Sequence, residues 1–198
     1  MSYRRIGILG GVFDPVHFGH LSMAQLAKDG FGLEQVIFVP AGTPPHKQTV
    51  SAAASERLKM LKLALANTPH FSIWEGEVNK NGCAYTVDTV AELGGVYGDA
   101  KFYFIIGADN LAEIPAWHYS DEILSKVTLC VAKRPGYDIT PPDTILCADI
   151  ETFCGPEWGL SSTILRGYLK NGLSCRYLIP EVVLDYIAEK GLYGYSRR

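Results

Sequence analysis

The segment Gly10-Gly11-Val12-Phe13-Asp14-Pro15-Val16-His17-Phe18-Gly19-His20 puts two glycines at the end of an apolar run and two histidines just beyond it. Glycine lets the main chain approach a ligand closely. A helix start offers N–H groups and the positive end of a dipole, both of which favour phosphate. Imidazoles add donors that carry charge near neutral pH. His17 and His20 stand at i and i+3, which sets them on one side of a first helical turn, and Gly19 keeps that turn clear of bulk. The chemistry indicated is binding of a nucleotide phosphate by fixed electrophilic groups. Zinc would need further ligands, and His46, His70 and His118 show no matching spacing. A dinucleotide oxidoreductase would need G-x-G-x-x-G and an acidic end to the second strand, where Pro40 stands.

Other segments carry compatible chemistry. Thr43-Pro44-Pro45-His46-Lys47 is a proline-stiffened loop that aims His46 and Lys47 outward. Thr86 stands at the start of a helix, where it either caps the helix or meets a ligand. Asp109 follows Gly107 directly after an apolar strand, placed to accept from ribose hydroxyls or to cap a short helix. Trp117 lies in a loop as packing or as a platform for a planar ring. Ser161-Ser162-Thr163 is a hydroxyl-rich helix start, and Arg166, one turn on, adds a fork-shaped cation on the same side. Taken singly, each has an ordinary structural use.

The elements that must position these groups alternate. Strands are expected over 5–9, 35–39, 71–74, 101–106, 127–132 and 144–147. Helices are expected over 20–29, 55–66, 86–93, 121–124, 161–170 and 180–190, the last with Pro180 at its first position and Gly191 at its end. Such alternation predicts an α/β fold, a doubly wound, mostly parallel sheet with helices on both faces. Ligands then bind beyond the carboxyl ends of the strands, and Gly10, Pro40, Gly107 and Arg134 all follow strands.

The 198 residues suit one domain with a full core, and the net charge of -3 gives no basic surface for nucleic acid or membrane. Five cysteines without C-x-x-C indicate neither a disulfide framework nor a zinc knuckle, and a reduced cytoplasmic setting is the expectation. Tyr193 and Tyr195 are expected to pack on the domain or on a partner, and oligomeric state is not legible.

Together the motifs resemble a known family. Gly10 to Leu21 is similar to the signature of the H-x-G-H nucleotidyltransferases. Pro44-Pro45-His46-Lys47, Tyr85-Thr86-Val87-Asp88-Thr89, Gly107-Ala108-Asp109, Trp117, Arg134-Pro135-Gly136 and the run 161–166 resemble, in order, bacterial nicotinate-nucleotide adenylyltransferases. The resemblance implies a Rossmann-like nucleotidyltransferase fold spanning 1–198, with the C-terminal helical segment 161–198 completing the ATP site. It implies transfer of AMP from ATP to nicotinate mononucleotide in NAD biosynthesis, with Mg²⁺ on the ATP phosphates. By the same resemblance Gly10, Gly11, Phe13, His17, His20, Gly107, Asp109, Arg134, Ser162 and Arg166 meet ATP. His17, His20 and Arg166 are then catalytic, and Lys47, Thr86 and Trp117 meet the acceptor. Lys80 and Ala84 depart from the family's frequent Arg and Ser. Transfer to another phosphomonoester such as phosphopantetheine, and a nucleotide sensor without turnover, are the alternatives.

Overall fold

The computed structural model describes residues 3–42, 50–80, 82–133, 136, 139–146, 148–155 and 159–196. Six strands form one sheet: β1 (Arg5–Gly11), β2 (Gln35–Pro40), β3 (Phe71–Ile73), β4 (Lys101–Gly107), β5 (Val127–Lys133) and β6 (Ile150–Cys154). Their order is β3-β2-β1-β4-β5-β6 and every pairing is parallel. The order reverses between β1 and β4, which is where a doubly wound sheet opens its ligand crevice.

Alternate strand residues feed two apolar layers. Ile6, Ile8, Phe102, Phe104, Leu129 and Val131 pack on one face with Val87, Val90 and Leu93 of helix α4 (Thr86–Tyr97) and Ile123 of α6 (Ser120–Lys126). Leu9, Val36, Phe38, Tyr103, Ile105 and Cys130 pack on the other. That second layer takes Met23, Ala24 and Ala27 of α1 (Phe18–Phe31) and Met60 and Leu61 of α2 (Ala54–Leu65). It also takes Leu165 and Leu169 of α7 (Ser162–Lys170) and Val183, Leu184 and Ile187 of α8 (Glu181–Lys190). Period-two burial on both sides is what a covered parallel sheet requires.

Several differences from the sequence reading have physical causes. In place of the expected strand 144–147, of which 147 lies outside the described residues, there is a 3-10 turn over Asp143–Ile145, because Pro141-Pro142 precede it and Pro142 caps it. The edge strand is β6, whose Glu151 and Thr152 are exposed and whose one-sided pattern gave no apolar run. A four-residue helix α3 (Gly76–Asn79) and another, α5 (Ala108–Leu111), were too short to show a period. Pro180 takes the cap position, so α8 begins one residue later than expected.

Candidate active site

Helix α1 begins at Phe18, two residues before the expected start at 20, with His17 as N-cap and His20 three residues on. The His17 main-chain N–H donates to His20 Nδ1 (3.3 Å), and the two rings stack with centroids 3.7 Å apart. His17 is buried. Phe13, at φ 51°, turns its ring edge-on to His20 at 5.0 Å. A methyl on Gly11 would meet that ring at 3.0 Å, which accounts for the second glycine.

Gly19 has a sharper reason than low bulk. A Cβ there would stand 2.9 Å from His17 Nδ1, too close for contact, so the buried His17 ring would have to shift. Gly19→Ala is therefore expected to keep the fold, since alanine favours helix by about 1 kcal/mol. By pushing the stack apart it should cut turnover about tenfold or more. Parallel melting curves and initial rates check this; an unchanged rate would contradict the stacked pair as the working geometry.

The Phe18 N–H donates to Leu178 O (3.0 Å), so the first N–H of α1 serves the C-terminal segment and not a ligand. That segment returns to the same loop through α7. Ser161 is its N-cap and accepts from Ile164 N (3.3 Å). Ser162 donates its one hydroxyl proton to Pro15 O (2.9 Å), so the hydroxyl proton expected to face phosphate is spent. Arg166 donates from Nη1 to Asp14 O (2.7 Å) and from Nη2 to Thr163 Oγ1 (3.2 Å). Both helix starts, far apart in sequence, thus frame Asp14-Pro15.

Two buried charges that the sequence pattern did not single out hold this frame. Arg57, within α2, gives its guanidinium to four main-chain oxygens: Ala52 (3.3 Å), Val12 (2.7 Å), Ala41 (2.7 Å) and Gly42 (2.8 Å). Burial pulls its pKa down while Asp14 and Tyr193 push it back up, and a guanidinium stays charged throughout. Asp14, also buried, accepts from Ser51 N (2.8 Å), Ala52 N (3.2 Å) and Tyr193 Oη (2.7 Å). The loop 12–15 is thereby tied to the residues flanking 43–49.

Between the ends of β1 and β4 lies a cavity of about 300 Å³. Gly10, Gly11 and Gly107 reach it from the strands, and Thr86, Trp117, Tyr85 and His118 line it from the helix and loop side. Tyr85 and not Thr86 is the N-cap of α4, so Thr86 is released from capping. From α5 and the turn after it, Asn110 and Glu113 line the cavity; Asp109 sits partly buried in the first turn of α5, which Gly107 caps. His118 stacks loosely on Tyr85 (4.4 Å) and Trp117 stands edge-on to Phe104 (5.6 Å). Asn110, Glu113 and His118 had no pattern to mark them beyond their nearness to Trp117, and Tyr85 stood in the run 85–89 without being singled out.

Glu77, on the cavity wall, accepts from Thr89 Oγ1 (2.7 Å). Burial raises its pKa above the ordinary glutamate value, partly offset by the Thr89 hydroxyl and Lys80. The folded chain therefore holds this proton more tightly than the unfolded chain. The stabilisation is full below about pH 4.3 and is lost as pH rises through the folded value. Glu77→Gln should raise the melting temperature relative to the parent at pH 7 by more than at pH 4; thermal melts at the two pH values check it, and an equal or larger gain at pH 4 would contradict it.

A model of the cytidylyltransferase-like family matches residues 8–168. A probable nicotinate-nucleotide adenylyltransferase of Geobacillus thermodenitrificans is 44% identical over 191 residues, covering 96% of this chain and 86% of that protein. Another, of Oceanobacillus iheyensis, is 41% identical over 194 residues, covering 98% and 99%. The chain belongs to the nicotinate-nucleotide adenylyltransferase family. Its fold is that of the solved Plasmodium falciparum nicotinic acid mononucleotide adenylyltransferase complexed with NaAD, at TM-score 0.78, 18% identity and coverage of 98% and 99%.

Within this adenylyltransferase family the two departures are accounted for locally. Lys80 pairs with Asp88 (3.2 Å) and Glu92 (3.4 Å) on the outer side of α4, and Ala84 is a buried part of the cavity wall. Lys47 and Arg134, expected at the acceptor and at ATP, lie outside the described residues.

Proposed function

We propose that this chain transfers AMP from ATP to nicotinate mononucleotide, giving nicotinate adenine dinucleotide and pyrophosphate. The observation that carries the reading is the convergence of the α1 and α7 starts on Asp14-Pro15, beside a cavity walled by Thr86 and Trp117. Residues 1–198 then act as one nucleotidyltransferase domain, with 161–198 completing the ATP site.

The mononucleotide phosphate is already an anionic nucleophile, so the reaction needs no general base. It attacks the α-phosphorus in line, the P–O bond to the β-phosphate breaks, and pyrophosphate leaves with that electron pair. The protein's work is alignment and stabilisation of shifting charge. His20 meets the α-phosphate, and His17 and Arg166 hold the β- and γ-phosphates. Gly10, Gly11 and Gly107 leave room for the nucleotide at the strand ends, Phe13 braces the His20 ring, and Ser162 offers its main-chain N–H. Asp109 and Arg134 bind the remainder of ATP. Thr86 and Trp117 receive the nicotinate ring, and Lys47 approaches the mononucleotide phosphate.

Mg²⁺ bound with ATP would supply charge neutralisation of its phosphates, beside His17, His20 and Arg166. The residues fit that arrangement, since the groups framing the phosphate loop are imidazoles and a guanidinium that meet phosphate oxygens. Among the described residues no group of three or more His, Cys, Asp or Glu is placed to hold a metal. The reading includes a cytoplasmic setting with no nucleic-acid or membrane partner, and no helix among the described residues is long and apolar enough to cross a membrane.

Pyrophosphate release from MgATP, measured with nicotinate mononucleotide, nicotinamide mononucleotide, phosphopantetheine or no acceptor, tests the proposal. Release is expected with the nicotinate substrate well above the others. A preference for the amide or for phosphopantetheine overturns the substrate, and ATP binding without release from any acceptor points to a sensor.

A further inference from the structure

Tyr193 lies in the short turn Leu192–Gly194 that follows α8. Its φ of 57° is left-handed, which costs a non-glycine residue about 1 kcal/mol or more. Something must hold it there. The ring packs on the apolar layer formed by α1, α2, α7 and α8, and the phenol donates to Asp14 Oδ1 at 2.7 Å. Burial, and then Asp14, keep that phenol protonated, with its pKa pushed well above the usual tyrosine value.

The Asp14 carboxylate and the Arg166 guanidinium are neighbours that do not close on each other. Arg166 Nη1 stands 3.8 Å from Asp14 Oδ2 while the same nitrogen donates to the Asp14 main-chain oxygen at 2.7 Å. An unrestrained aspartate and arginine close to a two-bonded pair at about 2.7–2.9 Å. Three other donors occupy the carboxylate here: Tyr193 Oη, Ser51 N and Ala52 N.

We propose that Tyr193 is a positioning residue for the triphosphate site: its hydroxyl on Oδ1, with Ser51 N on Oδ2 and Ala52 N on Oδ1, holds the Asp14 carboxylate back, so that Asp14 orients Arg166 without neutralising it. This rests on the reading that Arg166 meets ATP phosphates. Without the hydroxyl, Oδ1 keeps only the longer Ala52 N bond (3.2 Å), the carboxylate pivots about the Oδ2 held by Ser51 N toward Arg166, and the guanidinium is drawn from the nucleotide. The last turn of the chain would thus tune the affinity of a site whose other residues come from its first twenty and from α7.

Tyr193→Phe removes one oxygen and keeps the ring. A matched control exists in α8, where Tyr186 Oη donates to Glu56 Oε2 at 2.7 Å, so Tyr186→Phe deletes a similar phenol–carboxylate bond away from Arg166. The dissociation constant of Mg²⁺ with α,β-methylene-ATP, measured by calorimetry, should rise about tenfold in Tyr193→Phe, the scale of one hydrogen bond to a charged group. It should stay at the parent value in Tyr186→Phe. The KM for nicotinate mononucleotide should stay unchanged in both variants. A merely structural Tyr193 would lower the melting temperature without separating the two substrates. Unchanged analogue affinity in Tyr193→Phe, or an equal loss for both substrates, overturns the proposal. Analogue binding needs no acceptor, so failure to form the dinucleotide would sink the functional reading and still leave this comparison decisive.

Discussion

Replacing His20 with alanine should lower kcat for dinucleotide formation by about 10²–10³ while the fold persists, the usual cost of removing one donor aimed at developing charge. The geometry is specific about which atom matters. His20 Nδ1 accepts the His17 N–H, so in the neutral imidazole the proton sits on Nε2, the nitrogen that donates in the proposed mechanism. The stack on His17 at 3.7 Å and the Phe13 edge at 5.0 Å hold the ring in one orientation. Losing the ring leaves the N-cap N–H without its partner, a loss of about 1 kcal/mol that a domain of this size tolerates. The check is kcat beside a melting curve. A well-folded His20→Ala with near-normal turnover would remove His20 from the chemistry.

Arg166→Ala should lower kcat/KM for ATP by about 10² or more, with much of the loss in KM. Two of the guanidinium's donors fix it to Asp14 O and Thr163 Oγ1, which leaves a rigid, partly exposed cation beside the loop that leads into α1. Lysine keeps the charge and cannot make both anchoring bonds while also reaching a phosphate, so Arg166→Lys should recover only part of the loss. Steady-state kinetics with ATP varied at saturating acceptor read this directly. Full recovery with lysine would mean that charge alone matters and that the fork is incidental.

The parts of the fold legible in the sequence are those set by neighbours in the chain. The histidine turn is one: His17 and His20 needed only helical spacing, and the structure stacks them. Apolar runs such as 101–106 and 127–132 were readable because both faces of those strands are covered. β6 was missed because an edge strand buries little and its Glu151 and Thr152 look like loop. Arg57 stands in a helix where a charge reads as surface; it is buried because carbonyls from three separate segments converge on it. Asp14 and Tyr193 are 179 positions apart, and no local pattern links them. Ser162 was legible as a helix start, yet the direction of its hydroxyl, toward Pro15 O, depends on packing against a loop 147 positions away. Trp117 and Thr86 were legible as residue types, and their meeting across one cavity required the β1–β4 switch point.

Isotope labelling follows the proposed transfer at the α-phosphorus to nicotinate mononucleotide directly. With MgATP carrying the isotope at the α-phosphate, a single turnover in the presence of nicotinate mononucleotide should place all transferred label in nicotinate adenine dinucleotide and leave pyrophosphate unlabelled. Label remaining in ATP, or appearing in AMP with no dinucleotide formed, would contradict the account.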